Sequence, residues 1–526
     1  MRDQTSSRLA GRGMIAGLLT GAVAVGVGQL VAGFTGPDGS PVVAVGGLSI
    51  DFTPPQVKDF AIKTFGSHDK LVLVAGILVL LGAFAAWIGT LAVRRFSRGV
   101  EALAIFTAVG LLSAATRPGS GPADVLPTIL GSAAAVVSLY YLVQAAGAGQ
   151  LARASVPAPS ELEPARTAPP AVGPPQGPPG QIPGGEPPRP DRRRFIATGA
   201  AVAGAAAVTG LAGRKLAEDA SVTKERASIR VPAPASPAPP LPPGTDFKIP
   251  GLSSFITPNQ SFYRVDTAIV LPEVPATTWR LRIHGMVERE LDISFKQLLS
   301  RPLIEDYITL TCVSNEVGGP YVGNAKWLGA SVAGLLRQAG IKAGADQIVA
   351  TSADGFTCGT PIQAVMDGRD ALLAIAMNGT ALPVAHGFPV RMVTPGLYGY
   401  VSACKWITDI EVTTFAQNHA YWTTRGWDQR APIKTESRID IPTGLTTQNP
   451  GKIAVAGVAW AQHKGIEAVE VRADSGPWHE AKLATVPGID TWRQWVWEWD
   501  ATPGRHLIQA RATDKTGYTQ TALEAA

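Results

Sequence analysis

Four stretches of this chain, at about 14–34, 71–93, 100–116 and 125–146, run almost free of charged side chains. Each is about 17 to 23 residues long, and about 20 apolar residues in a helix cross the hydrocarbon core of a bilayer. Helices buried in a soluble core would carry a polar face, which these segments lack. They predict a four-span transmembrane region over residues 1–150, and they concentrate the apolar excess of a chain that is 46% hydrophobic and 17% charged. Arg2, Arg8 and Arg12 precede the first run in the manner of a signal peptide. A cleaved signal is not followed by three further spans, so this helix is expected to be retained. Basic residues in short loops mark the cytoplasmic side. The N-terminus and the Arg94, Arg95, Arg98 loop are therefore expected inside, and the mixed-charge 35–70 loop outside. A membrane haem takes axial ligands, usually histidines within helices. His68, in a loop, is the only histidine before residue 150, so no haem is expected.

Residues 151–190 are dense in proline and glycine and read as an extended spacer. Asp191-Arg192-Arg193-Arg194-Phe195-Ile196 then opens a weakly apolar Ala/Gly/Val run. Residues 191–215 are expected to form a fifth span headed by a sequence that resembles a twin-arginine export signal. A plain positive-inside flank is the alternative, and Arg214 and Lys215 beyond the run count against the topology. A further proline-rich linker occupies 216–250.

Beyond 251 the periodicity changes to short alternating strands with turns. Trp279–Gly285, Ile348–Phe356 and Ala371–Met377 read as strands, the last closed by an Asn378-Gly379 hairpin signal. Short helices are expected near 294–299 and 331–339, which makes 251–440 a mixed α+β domain. From 441 to 526 the pattern is all-β, with strands at 452–460, 466–472, 492–499 and 506–512, and reads as an immunoglobulin-like sandwich. No GxGxxG or phosphate loop supports a nucleotide-binding fold. The three cysteines, Cys312, Cys358 and Cys404, form neither a zinc spacing nor a disulfide framework. Cys312 ends the β-rich Thr309-Leu310-Thr311 and precedes a loop with Gly318, Gly319 and Gly323. Alone, such a thiol is an ordinary buried side chain.

It gains meaning beside His386-Gly387-Phe388-Pro389-Val390-Arg391, Pro395-Gly396 and Lys405-Trp406. In combination, over about 255–526, these motifs resemble the sulfite oxidase family of molybdopterin enzymes. The resemblance implies a molybdenum–molybdopterin cofactor with Cys312 as the thiolate ligand to the metal. It implies that Tyr263, Asp354, His386, Arg391, Ser402 and Lys405 hold the cofactor and that Arg264 orients an anionic substrate. Arginine clamps a phosphate bidentately, and lysine acts as a point charge. Cys358 and Cys404 are expected to be small core residues. Folded export suits a domain whose organic cofactor is inserted first. The C-terminal sandwich is similar to the family's dimerisation domain, which implies a homodimer.

Several departures bear on the substrate. Ser314-Asn315-Glu316-Val317 stands where the family has Gly-Asn-Arg-Arg, and Val265-Asp266 replaces an Asn-His pair. Trp427 falls where the family has an active-site tyrosine, and an indole has no acidic hydroxyl. Arg264, Arg425 and Arg430 remain as cations, and no cytochrome-type haem segment is fused to the chain. The expectation is a multi-domain, membrane-anchored oxidoreductase with its catalytic domain outside the cytoplasmic membrane. It would transfer an oxygen atom to or from a small polar or anionic substrate and exchange electrons with a separate carrier, with no nucleic-acid partner. An exported S-oxide reductase of the same family and an inactive membrane-tethered binding protein are the alternatives.

Overall fold

The computed structural model describes residues 2–36, 39–53, 57, 69–116, 121–146, 192–219 and 222–522. The spacer at 151–190 and His68 lie outside the described residues. The chain divides into two units, Met1–Ala220 and Ser221–Ala526.

The first unit is helical, with α1 (Arg2–Thr35), α2 (Pro41–Phe52), α3 (Asp69–Arg94), α4 (Phe96–Ala115), α5 (Leu126–Ala145) and α6 (Arg192–Asp219). Five segments are long and apolar enough to cross a membrane: Leu9–Thr35, Val72–Arg94, Phe96–Ala115, Pro122–Ala145 and Arg193–Leu216. The helix α2 occupies part of the segment expected to be a loop. Its 12 residues are too few to cross a bilayer, and so short an apolar run has no distinctive periodicity. Small residues bring α1 and α3 together. A methyl group at Gly17 would strike the Ala85 carbonyl, and one at Gly89 the Gly13 carbonyl. Such backbone-to-backbone approach is how helices associate in lipid.

The second unit begins with α7 (Thr223–Ser228) and a proline-rich strip that lies along the fold. Arg226 donates to the carbonyls of Leu382 (2.6 Å) and Ala381 (3.0 Å). The Ala235 N–H donates to Leu303 O (2.8 Å), and the Phe247 N–H to Gln494 Oε1 (2.8 Å). From residue 222 onward the stretch expected to be a linker is therefore a strap. Composition does not separate the two, because proline gives an extended backbone in either case.

One sheet orders β2 (Leu291–Ser294), β1 (Arg280–Gly285), β10 (Ile407–Thr413), β5 (Gln347–Ser352) and β6 (Thr357–Pro361), with only β1 and β10 parallel. The other orders β3 (Leu303–Thr311), β4 (Val322–Ser331), β7 (Leu372–Met377) and β8 (Thr380–Ala381), with β9 (Arg391–Val393) also on β7. Leu281, Ile283 and Ile410 of the first sheet share one core with Leu310, Trp327 and Leu373 of the second. Ser294 and Ser331 cap the short helices α8 (Phe295–Leu299) and α9 (Val332–Ala339). Two further helices, α10 (Ile362–Met366) and α11 (Gly399–Ser402), complete this part.

The C-terminal region is β-rich. One sheet orders β11 (Glu436–Ile441), β12 (Gly451–Trp460), β16 (Arg493–Ala501) and β15 (Lys482–Leu483). The other orders β14 (His479–Glu480), β13 (Ile466–Ala473) and β17 (Ile508–Asp514). Val455, Val469, Val471, Trp495 and Ala512 form a core common to both.

Buried polar groups tie β3 to this region. Thr309 Oγ1 donates to Asn324 Oδ1 (2.9 Å) and accepts the Trp492 N–H (2.7 Å). Gln462 Nε2 donates to Thr309 O (3.0 Å) and to Thr311 Oγ1 (2.9 Å). The Thr309 N–H donates to Asp490 O (2.9 Å), and Trp492 Nε1 to Phe255 O (2.8 Å). Thr309, Thr311 and Asn324 are inaccessible to solvent, so an unmade bond here costs the full desolvation of the group left behind. Thr309→Val keeps the shape but strands the Trp492 N–H and Asn324 Oδ1. It is expected to destabilise this unit by about 2 to 4 kcal/mol, measured by chemical denaturation followed through tryptophan fluorescence.

Candidate functional site

The strand β3 delivers Cys312 to the first position beyond the sheet. The Cys312 N–H donates to Tyr321 O (2.9 Å), and the Asn315 N–H to Cys312 O (3.1 Å). Asn315 Oδ1 accepts the Tyr321 N–H (2.8 Å), so the glycine-bearing loop closes on itself beside the half-buried thiol. Burial pushes the thiol's pKa up, while the Ser314 N–H and hydroxyl and the Lys405 charge pull it down.

Arg391 opens β9 and is buried. Its Nη1 donates to His386 O (3.2 Å), its Nη2 to Ala403 O (3.4 Å), and the guanidinium lies 5.0 Å from the Trp327 ring centroid. Among the described residues its Nε has no hydrogen-bond partner. Burial lowers its pKa to about 10, which leaves it charged at neutral pH. Lys405 Nζ donates to Asp266 Oδ2 (2.6 Å) and stands 4.6 Å from the Trp406 ring centroid. Burial brings Lys405 down to about 8, against the pull of Asp266.

His386 Nε2 is 3.1 Å from Asn259 O, a carbonyl that can only accept, so the proton is assigned to Nε2. Burial and then the Arg391 charge lower this imidazole to about 4. It is neutral at physiological pH, with Nδ1 as an acceptor. Gly387, at φ +107°, lets the chain turn here. A Cβ in its place would lie 2.9 Å from Arg391 Cβ and 3.2 Å from Lys405 Cα.

Tyr263 stacks on Phe262 with ring centroids 5.3 Å apart. Burial raises its phenol pKa, Cys312 raises it further and Arg391 opposes, so the ring is within electrostatic reach of both. Arg264 Nε donates to Asp266 Oδ2 (2.8 Å) and Nη2 to Asp266 Oδ1 (3.3 Å). A single carboxylate thus holds both Arg264 and Lys405.

Cys312, Tyr263, Arg264, His386, Arg391 and Lys405 come together by these contacts and charges. Asp354 lies in a turn where its Oδ1 accepts the Phe356 N–H (3.2 Å). The Cys404 thiol is raised by its hydrogen bond with Cys358, by burial and by the Asp354 charge, which places Asp354 near that pair. The Ser402 hydroxyl is buried and faces the carbonyls of Leu397 (2.9 Å) and Tyr398 (3.1 Å) in its own turn. Trp427 packs on Trp422 (4.5 Å) and Tyr400 (5.0 Å). Sequence reasoning misses Asp266 as a counter-ion, although Arg-x-Asp spacing signals it. It also misses Ser314 and Trp327, for which no local signal exists.

The donor set fits molybdopterin. Two cations, Arg264 and Lys405, meet one carboxylate, a third and buried guanidinium, Arg391, keeps an unmade N–H bond among the described residues, and a thiol stands beside them. A buried charge without a counter-ion is costly, and a phosphate would provide one. A bound high-valent metal would ionise the thiol whatever its free pKa.

The neutral His386 gives a signed prediction. Its pKa in the fold is about 4, below the ordinary value of about 6.5. Its contribution to stability is therefore present above about pH 6.5 and lost as pH falls through about 4. The loss is up to about 3 kcal/mol. Urea midpoints at pH 7.5 and pH 4 should converge in His386→Gln relative to the native chain.

Residues 268–422 match the family model described as oxidoreductase molybdopterin binding domain. The chain is 29% identical over 296 residues to sulfite oxidase from Gallus gallus, covering 47% of this chain and 63% of that protein. It is 30% identical over 183 residues to the uncharacterized oxidoreductase YuiH from Bacillus subtilis, covering 34% of this chain and 88% of that protein. The sulfane dehydrogenase SoxCD structure from Paracoccus pantotrophus aligns with TM-score 0.45 and 25% identity, over 50% of this chain and 74% of that one. The chain spans about half to two thirds of the length of the animal sulfite oxidases it matches. With the molybdopterin-binding family model and the 30% identity that spans 88% of the Bacillus subtilis oxidoreductase, beside the likeness to the animal enzymes, the chain belongs to the sulfite oxidase family of molybdopterin-dependent oxidoreductases.

Proposed function

We propose that this enzyme transfers an oxygen atom to or from a small substrate outside the cytoplasmic membrane, anchored by its N-terminal helices. The observation that carries the cofactor assignment is the buried Arg391, whose Nε has no partner among the described residues, near Lys405 and within the electrostatic reach of the Cys312 site. When bound, molybdenum–molybdopterin supplies two-electron exchange and oxygen-atom transfer. In this reading Cys312 is the thiolate ligand, and Arg391 and Lys405 offset the cofactor's negative charge. His386 accepts a hydrogen bond through Nδ1, and Tyr263 stays protonated and donates. Asp354 and Ser402 are proposed as peripheral cofactor contacts through their backbone and turn geometry. Arg264, at the solvent edge with a 37% exposed side chain, meets the substrate.

The five apolar segments act as the anchor, with the N-terminus and the Arg94–Arg98 turn inside by the positive-inside pattern. The arginines at 192–194 serve export of the folded domain. In this reading the anchor carries no haem and electrons pass to a separate carrier. The C-terminal sheets are an immunoglobulin-like sandwich that pairs two copies. Several relatives are sulfite oxidases, which supports oxygen-atom transfer as the reaction type.

Metal and pterin analysis of the purified chain tests the assignment. Near-stoichiometric molybdenum and pterin are expected, and a folded, metal-free protein would refute it. Cys312→Ser should lower turnover by more than about a hundredfold, the upper range for loss of an outer-shell metal partner, with the fold retained. Cys358→Ala should leave most activity. Replacing Arg192, Arg193 and Arg194 by lysine should retain the catalytic unit in the cytoplasm, read by protease accessibility from outside.

A further inference from the structure

Asp266 has a 4% exposed side chain and reaches two cations at once: Lys405 Nζ at 2.6 Å and Arg264 Nε at 2.8 Å from the same Oδ2. Its other oxygen lies 3.3 Å from Arg264 Nη2. Solvent and salt screen a charge so placed only weakly. Arg264, Lys405 and Arg391 against Asp266 leave two positive charges. A phosphate monoester carries about two negative charges at neutral pH, so a bound cofactor phosphate consumes that remainder. Nothing is left over for a dianionic substrate.

The surroundings point the same way. Val265 (45% exposed), Val313 (38%) and Val317 (83%) present apolar side chains beside Arg264 and around the cysteine loop. Glu316, in that loop, is exposed. The cation that touches the loop, Arg438, is spent: Nη1 donates to Gly319 O (2.9 Å), and Nε lies 2.7 Å from the buried Asp440 carboxylate. An oxyanion entering here to reach Arg264 would have to displace Asp266 from it. Selectivity built by a repulsive group is as effective as selectivity built by an attractive one.

We infer that Asp266 is the specificity-determining residue that closes this site to dianions and fits it to an uncharged substrate with one polar oxygen and an apolar arm. The inference rests on the cofactor assignment above. The test uses the molybdenum-loaded chain, its metal and pterin content verified first, titrated with sodium sulfate and separately with dimethyl sulfoxide. Binding is read from the visible absorption of the metal–thiolate centre. The native spectrum should respond to dimethyl sulfoxide and not to sulfate at the same concentration. In Asp266→Asn, sulfate affinity should rise on the order of tenfold to a hundredfold, because a buried like charge has been removed. Asp266→Glu keeps the carboxylate and should remain closed to sulfate, which separates charge from any loss of fold. A loaded native protein that binds sulfate as tightly as Asp266→Asn overturns the inference and leaves the cofactor assignment standing. A native protein without molybdenum and pterin overturns the assignment itself.

Discussion

The site depends on how the last residues of β3 are held. Thr309 and Thr311 are fixed through Gln462, Asp490 and Trp492, all contributed by the C-terminal β-rich region. Cys312 is the next residue. A metal–thiolate bond tolerates little positional error, and a strand end would ordinarily fray. Here the Thr309 N–H and carbonyl and both threonine hydroxyls meet groups about 150 to 180 residues later in the chain. Loops of the C-terminal region therefore help to set the position of Cys312, the proposed ligand.

The second constraint is electrostatic. Burial drives Lys405 and Arg391 downward in pKa, and drives His386 to its neutral form, yet the first two remain cationic near neutral pH. Their charge is tolerable because aromatic faces, backbone carbonyls and Asp266 surround them. The imidazole is left to serve as an acceptor. Three basic side chains that look alike in sequence thus stand in three states: a buried guanidinium, a paired ammonium and a neutral ring.

Much of this was legible in the sequence where the signal is local. The Asn378-Gly379 turn closes β7 onto β8, Ser331 caps α9, and alternation marks β12, β13, β16 and β17. The motif from His386 to Lys405 points to the basic cluster through its resemblance to the family. What was not legible depends on distant partners. The Thr309 network needs residues far along the chain, and Trp327 beneath Arg391 is one buried tryptophan among several. The segment after 222 has the composition of a spacer and the contacts of a strap.

That strap has a mechanical meaning. The Val222 N–H meets Glu273 (3.2 Å), Glu225 accepts the N–H groups of Ala276 (3.1 Å) and Thr277 (2.9 Å), and Arg226 grips Leu382. Tension along this segment would load these bonds first, the Arg226 pair among them reaching the end of β8 at Ala381 and the neighbouring Leu382. Leu382 lies four residues before His386, so the Arg226 bond ties this segment to the start of the turn that carries the imidazole. A pull on Arg226 is thereby handed to the edge of the candidate site rather than absorbed by the strap alone.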